Sequence, residues 1–347
     1  MHTKAIIQYA CGKFKYISRC FAIIFFFFLS GEAGSKMVEK KTFSGVDFWT
    51  LRSDELCVGV SALGAAVTDI HFLGRSIALG YDSLSRYRAG RDYLGAVIGR
   101  CANRVSGGRF PWKGGYADLQ RNENGNTLHG GANSWDKRLW TGEIDGDALR
   151  LRLFSPDGDN GFPGALRVCV SYRVEENALR IDLEGDAESD TVFAPTSHIY
   201  FNFRGAGSVF GTRVRLWADQ YLETDEQRLP TGRLLRCEGG FDLRRTQPLA
   251  RSFDHAFVLN DQRAFEAEAD GVRLTLDTDF PALHFYTGDA LGAPFEKNGG
   301  FALEPECYPD APNHPNFPSV YLAAGEHFHR FALYRFSRAA QSCDWGK

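Results

Sequence analysis

The feature that most constrains this chain is an alternation of period two that keeps returning. Runs such as LRLRLFS (Leu149–Ser155), LRVCVSYRV (Leu166–Val174), ALRIDLEG (Ala178–Gly185), TRVRLWA (Thr212–Ala218), VRLTLDT (Val272–Thr278) and FHRFALYRF (Phe328–Phe336) mostly alternate apolar and polar residues. Successive side chains of a strand point to opposite faces, so this pattern predicts half-buried antiparallel strands. Between two of the runs stands Glu176-Asn177, as in a hairpin turn. The best helical candidate is short, Ser83–Arg91. Many strands, turns rich in Gly, Asp and Asn, and no alternating helices predict an all-β chain built as one large antiparallel β-sandwich. From Val38 onward there is no linker, low-complexity tract or clear repeat, so residues 37–347 are expected to form a single domain.

Residues 1–36 stand apart from that pattern. Lys4, Lys13, Lys15 and Arg19 precede the apolar stretch CFAIIFFFFL (Cys20 to Leu29), and SGEAGS follows it. This is the order of a secretory signal, with small residues near a cleavage site after Ala33. The apolar stretch is shorter than the about 20 residues a membrane-spanning helix needs. The segment also fits an over-extended translation start, because Met37 is one of only two methionines and Arg outnumbers Lys after it. The first reading implies a periplasmic or secreted protein, the second a cytoplasmic one. Both leave residues 1–36 outside the fold, and no membrane span is expected in the folded part. The eight cysteines are widely and irregularly spaced, with no CxxC, and read as scattered thiols rather than a disulfide or zinc framework. With a formal net charge of -3 and no basic run, nucleic acid is not an expected partner.

Five stretches depart from simple strand patterns, and each carries polar residues that are costly to bury without a partner. GAVIGRCANRVSGGRF (Gly95 to Phe110) sets Arg100, Asn103 and Arg104 among glycines, without Walker or dinucleotide spacing. Taken alone it reads either as an anion-binding loop or as a turn with surface arginines. NTLHGGANSWDKRLW (Asn126 to Trp140) places His129 before two glycines that permit close backbone approach. PTSHIYFNFRG (Pro195 to Gly205) places His198 at the mouth of an aromatic strand, either as a satisfied sheet histidine or as an acid or base. In SFDHAFVL (Ser252 to Leu259), Asp254 precedes an apolar run and could cap its start. In FALEPECYPDAPNHPNFPSVYL (Phe301 to Leu322), Glu304 follows an apolar strand start, where partial desolvation would raise its pKa toward general-base values. Two further patterns invite a metal reading. DGDNG (Asp157 to Gly161) lacks the spacing and closing glutamate of a calcium loop, and His327 with His329 has no third ligand in view.

Together, GRCANRVSGGRF, NTLHGG, SHIYFNF, FDHAFVL, FYTGD and LEPECYPDAPNHPNFPS resemble, in this order, the aldose 1-epimerase (galactose mutarotase) family, over nearly everything from Val38 to Phe336. The resemblance implies a galactose mutarotase-like supersandwich with an open sugar cleft, a small-molecule aldose substrate, and a reaction needing neither cofactor nor metal. Carried over residue by residue, it implies Glu304 as general base and His198 as general acid. Asn103, Arg104, His129 and Asp254 would hold sugar oxygens. A pyranose is a hemiacetal, so opening it takes one proton from O1 and puts one on the ring oxygen O5. A carboxylate and an imidazolium at one site do both, each with roughly 10²–10⁴-fold effect. The open aldehyde rotates about C1–C2 and closes on its other face.

Two positions depart from the family pattern. His284 stands before FYTG where members often carry glutamine, at a position expected to touch sugar hydroxyls. Glu306 also stands where many members have glutamine, and is expected to face away from Glu304. Within the fold, a hexose-6-phosphate 1-epimerase using Arg100 or Arg109, and a non-catalytic carbohydrate-binding sandwich, are the competing readings. His198 and Glu304 are expected to face one cleft, a pyranose width apart.

Overall fold

A computed structural model describes residues 37–339; the readings made for residues 1–36 lie outside them. Three antiparallel sheets carry most of the described chain. Nine strands run in the order Thr141–Asp145, Ala148–Ser155, Leu166–Glu175, Ala178–Ala187, His327–Arg338, Val272–Thr278, Arg263–Ala269, Arg213–Leu216 and Gln247–Pro248. Six run in the order Ile199–Phe201, Phe301–Glu306, Ala282–Tyr286, Asp254–Leu259, Ala218–Thr224 and Pro230–Arg236. A five-stranded sheet begins with the meander Met37–Phe43, Val46–Arg52, Leu56–Ser61 and Val67–Phe72.

The alternation seen in the sequence is the alternation of burial. Leu166, Val168, Val170, Tyr172 and Val174 are buried, while the residues between them are partly or fully exposed. Glu176-Asn177 is a two-residue hairpin turn between Glu175 and Ala178, and Glu176 adopts φ 51°. The inward faces of all three sheets meet in one core that includes Trp49, Phe72, Tyr172, Phe201, Phe265, Phe301 and Tyr334. Burying each such side chain is worth about 1.5–3 kcal/mol, which is what holds the sheets face to face. The expected helix is present over Leu84–Ala89.

One expected strand is divided. Thr212–Ala218 was expected to be continuous, but Arg213–Leu216 belongs to the nine-stranded sheet and Ala218–Thr224 to the six-stranded one. The chain changes sheet at Trp217, whose N–H donates to the Ala264 carbonyl. Such corners are how sandwich strands pass between layers.

The structure also reassigns several polar residues. Arg100 is neither a surface arginine nor an anion ligand. It is 1% exposed and donates to the carbonyls of Ser155, Pro156, Pro163 and Gly164 and to the hydroxyls of Ser155 and Thr191. Arg109 is exposed, lies over the Tyr116 ring and pairs with Asp118 at 3.5 Å. In the suspected calcium loop, Asp157 accepts from the Gly164 N–H, and the Asp159 carboxylate is held by Arg138 and Ser155. His327 and His329 bind different partners, Asp186 at 2.7 Å and Asp182 at 2.9 Å. The cysteines among the described residues, Cys57, Cys101, Cys169, Cys237 and Cys307, are all free thiols.

Candidate active site

Strand register brings the candidate residues into one row. Ile199–Phe201 pairs antiparallel with Phe301–Glu306, with Ile199 opposite Leu303. One step along that register sets His198 opposite Glu304. On the other side of Glu304 lies His284, and beyond His284 lies Ala256, two residues from Asp254. His198, Glu304, His284 and Asp254 therefore come from four neighbouring strands or their ends and share one sheet face.

The strand Phe301–Glu306 explains how a glutamate is buried there. All six residues are buried. Phe301 and Leu303 enter the main core, while Ala302 packs on the other side with Tyr200 and Leu291. Glu304 and Glu306 follow Ala302 at intervals of two, so both carboxyls face the site. The expectation that Glu306 faces away is wrong, because a strand repeats every two residues.

A short antiparallel strand pair supplies the remaining groups. Arg104–Val105 pairs with Thr127–Leu128, Arg104 lying opposite Leu128. This joins the Asn103-Arg104 and His129 motifs: His129 N–H donates to the Asn103 carbonyl at 3.0 Å, and Asn103 N–H donates to His129 Nδ1 at 3.2 Å. Asn103 and His129 both have left-handed backbones, at φ 58° and 50°. Side-chained residues hold such conformations only where their surroundings enforce them. The next residue, Gly130, packs so closely that a Cβ there would stand 1.9 Å from the Gly99 carbonyl oxygen.

His198 Nε2 and Glu304 Oε1 are 3.5 Å apart, and both side chains are almost wholly buried. This is closer than a pyranose width. O1 and O5 of a pyranose are bonded to the same carbon, so an acid and a base serving them must converge rather than straddle the ring. The His198 ring packs beside Tyr200 at 4.9 Å and His129 at 5.3 Å, measured between ring centres. Burial pulls the His198 pKa down to about 3. Burial, and then the Asp254 charge, pushes Glu304 well above the usual carboxylate range. Burial and His198 hold His129 low, keeping its imidazole neutral.

His284 takes a central place. Its Nε2 is 2.7 Å from Asp254 Oδ1, and its Nδ1 is 3.2 Å from Asn103 Nδ2 and 3.6 Å from Glu306 Oε1. Burial raises the Asp254 pKa, but the His284 hydrogen bond and the Arg228 charge overcome it, and the carboxyl stays ionised. Arg104 is clamped by both oxygens of Glu123, at 2.7 and 2.9 Å. The structure thus brings together all seven residues singled out in the sequence. It adds Glu123, Arg228 and Tyr93, and it turns Glu306 into the site. Glu123 and Arg228 lie in polar loops with no motif, and Tyr93 reaches the His129 ring at 4.5 Å from a distant segment. Only Glu306 carried a signal, its place two residues after Glu304.

Ligand atoms of His129, His198 and Glu304 lie within 4.8 Å of one another, a two-histidine, one-carboxylate set. The hydrogen bonding does not suit a metal. His129 Nδ1 accepts the Asn103 N–H, which leaves the proton of the neutral ring on Nε2. Metal-bound histidines instead donate their second nitrogen to an acceptor. His129 Nε2 is therefore left as a hydrogen-bond donor. Surface hollows of about 770 Å³ beside Trp112 and Tyr321, and of about 480 Å³ beside Asp69 and Phe295, are lined by other residues.

An antiparallel supersandwich with a buried carboxyl–imidazole pair on one sheet face, met by amide, imidazole and guanidinium groups from a short separate strand pair, is the galactose mutarotase-like class of fold. A galactose 1-epimerase from Lactobacillus acidophilus superposes on 88% of this chain and 100% of its own, with TM-score 0.79 and 28% identity. An aldose epimerase homologue from C. elegans shares the fold at TM-score 0.80 and 23% identity, over 88% of this chain and 100% of its own. The chain belongs to the aldose 1-epimerase family, whose pattern it matches over residues 47–334. It is 35% identical to rat galactose mutarotase over 324 residues, 85% of this chain and 95% of the relative. It is 34% identical to Escherichia coli aldose 1-epimerase over 300 residues, 76% of this chain and 85% of the relative.

Proposed function

We propose that this protein is an isomerase that interconverts the α and β anomers of free aldohexoses, galactose or glucose, with Glu304 and His198 as its acid–base pair. The observation that carries the reading is the 3.5 Å approach of His198 Nε2 to Glu304 Oε1 on a buried sheet face. The O1 hydroxyl donates to Glu304, and O5 accepts from His198 Nε2. Glu304 takes the O1 proton as His198 protonates O5, and the C1–O5 bond opens to the aldehyde. Rotation about C1–C2 presents the other carbonyl face, and the two protons return. His129, Asn103 and Arg104 donate to sugar oxygens, and Asp254 and His284 hold ring hydroxyls. Residues 37–347 act as one domain. No described helix is long and apolar enough to cross a membrane. The compartment follows the N-terminus: cytoplasmic with a start at Met37, periplasmic or secreted with cleavage after Ala33, which peptide mapping of the mature protein decides.

Polarimetry on freshly dissolved α-D-galactose and α-D-glucose tests the reading. Purified protein is expected to accelerate mutarotation of at least one of them well above the buffer rate. No acceleration with either sugar, or activity confined to glucose 6-phosphate, would overturn the substrate assignment. Binding without anomer exchange would mark a carbohydrate-binding sandwich instead.

The burial of the pair also sets a pH dependence. His198 is neutral above about pH 3, and Glu304 keeps its proton well above the usual carboxylate pKa. The two groups therefore hold one proton between them across that span, and a bound sugar decides which carries it. A second proton removes the base at low pH; loss of the shared proton removes the acid at high pH. The kcat/KM profile is expected to be flat through roughly pH 6.5, where an ordinary histidine titrates, and to fall on the alkaline side. An acid limb centred near that pH would refute the shared-proton state.

A further inference from the structure

We propose that Arg228 is a positioning residue for the sugar site: it fixes the Asp254 carboxylate in place and so sets how strongly the site holds the sugar hydroxyls away from C1. The inference deepens the mutarotase reading above and rests on it. Arg228 lies in the turn 225–229, between the strands Ala218–Thr224 and Pro230–Arg236. Several bonds hold that turn in shape. Asp225 Oδ1 accepts from the Gln227 and Leu229 N–H groups at 2.8 and 3.0 Å, and the Arg228 N–H donates to the Asp225 carbonyl at 3.0 Å. Arg228 itself has a left-handed backbone, φ 62°, which a residue with a side chain keeps only where its surroundings enforce it. Gln227 Oε1 accepts from Asn126 Nδ2 at 3.3 Å, which ties the turn to the segment that carries His129.

The guanidinium reaches the edge of the site. Arg228 Nη1 donates to Asp254 Oδ2, and Arg228 Nη2 stands 3.4 Å from Asp289 Oδ2. On its other side, Asp254 Oδ1 meets His284 Nε2 at 2.7 Å, and His284 Nδ1 meets Asn103 Nδ2 at 3.2 Å. Asp254 is therefore held through both oxygens and cannot turn about its Cβ–Cγ bond without breaking one of the two contacts. A carboxylate has about four acceptor positions, so two remain for sugar hydroxyls. A group fixed beforehand loses less freedom when the sugar arrives, which favours binding. The Asp254 side chain is 14% exposed and that of Arg228 is 42% exposed, so the arginine stands between the carboxylate and solvent. Without Arg228 the carboxylate is held on the His284 side alone and can tilt. Hydroxyls away from C1 do not react, so contacts to them are equally strong in the bound sugar and in the transition state. Weakening such contacts raises KM and leaves kcat nearly unchanged.

The wild type, Arg228→Gln, Arg228→Lys and Asp254→Asn are compared. For each, kcat and KM are measured on galactose or glucose, whichever is turned over faster, and on its deoxy forms, each lacking one hydroxyl. Asp254→Asn identifies the hydroxyl at stake, as the one whose removal no longer matters. Arg228→Gln is expected to raise KM roughly 10-fold, with kcat nearly unchanged. It is expected to shrink the preference for that same hydroxyl and for no other. Arg228→Lys keeps the charge but not the fork, and is expected to fall between the wild type and Arg228→Gln; if Arg228→Gln does not fold, it carries the same comparison. A merely structural role predicts a lower unfolding temperature and an even loss on every sugar. That result, an unchanged KM in Arg228→Gln, or an Asp254→Asn variant that keeps every preference would each overturn the proposal. Calorimetry with the methyl glycoside of the same sugar, which has no O1 proton to give, separates this proposal from the functional reading. If the wild type binds it but turns over neither sugar, the mutarotase reading falls. Roughly 10-fold weaker binding by Arg228→Gln then still supports the role of Arg228, and equal binding refutes it. A wild type that neither binds nor turns over a sugar refutes both.

Discussion

Glu304→Gln is expected to reduce kcat for mutarotation by roughly 10²–10⁴-fold, with little change in fold or in sugar binding. The amide fills the same volume on the same strand and still hydrogen-bonds an O1 hydroxyl, but it cannot take a proton. His198→Asn is expected to fall by a similar factor, because protonation of O5 is the other half of ring opening. The two groups approach to 3.5 Å, and on the proposed mechanism one proton passes between them, so they would act as a unit. The double variant is therefore expected to be little slower than either single one, since removing one member already disables the pair. Anomer exchange by NMR on the three variants measures this directly. Full activity in either single variant would overturn the role assignment, and multiplicative losses in the double variant would show that the two groups act independently.

The largest expected effect on stability lies away from the chemistry. Arg100→Met is expected to lower the unfolding free energy by roughly 3–5 kcal/mol. Arg100 joins four backbone carbonyls and two hydroxyls from three places in the chain, at Ser155–Pro156, Pro163–Gly164 and Thr191. Burial lowers its pKa only to about 10, so it remains a cation at neutral pH. Methionine replaces the side chain's bulk but removes the guanidinium donors; the Pro163 carbonyl keeps the Thr191 hydroxyl, and the other acceptors lose a buried partner. Arg109→Ala, at an exposed ion pair in the same glycine-rich stretch, is expected to change stability by no more than about 0.5 kcal/mol. Denaturant unfolding of the two variants separates them. Equal stabilities would mean that the Arg100 hydrogen bonds are replaced by water.

How much of this could be read in advance depended on whether the signal was local. Alternation is local: it follows from the two faces of a strand, and Leu166–Glu175 or Val272–Thr278 shows it in the sequence and again in the burial. The chemical types at the site were also readable, because a histidine at a strand mouth or a glutamate after Phe301-Ala302-Leu303 is conspicuous where apolar residues dominate. The family resemblance then supplied roles for them. Arg100 was not readable, since a buried arginine and a surface one look alike beside glycines and differ only in whether carbonyls from distant segments reach them. Glu123 and Arg228 were missed for the same reason; their importance lies in partners 19 and 26 residues away.

The spacing of His198 and Glu304 is the clearest division between the two levels. The amino-acid order predicted antiparallel strands, set His198 at a strand mouth and Glu304 after an apolar strand start, and through the family resemblance implied an acid–base role for both. It could not settle their distance, because about a hundred residues separate them and distance along a chain says nothing about strand register. Pairing of Ile199 with Leu303 settles it by aligning the two strands to the residue. The same register puts His284 beside Glu304 and turns Glu306 toward the site. Register is a property of the sheet as a whole: hydrogen bonds and core packing across many residues select one alignment, and a slip of a single residue would send every one of these side chains to the other face.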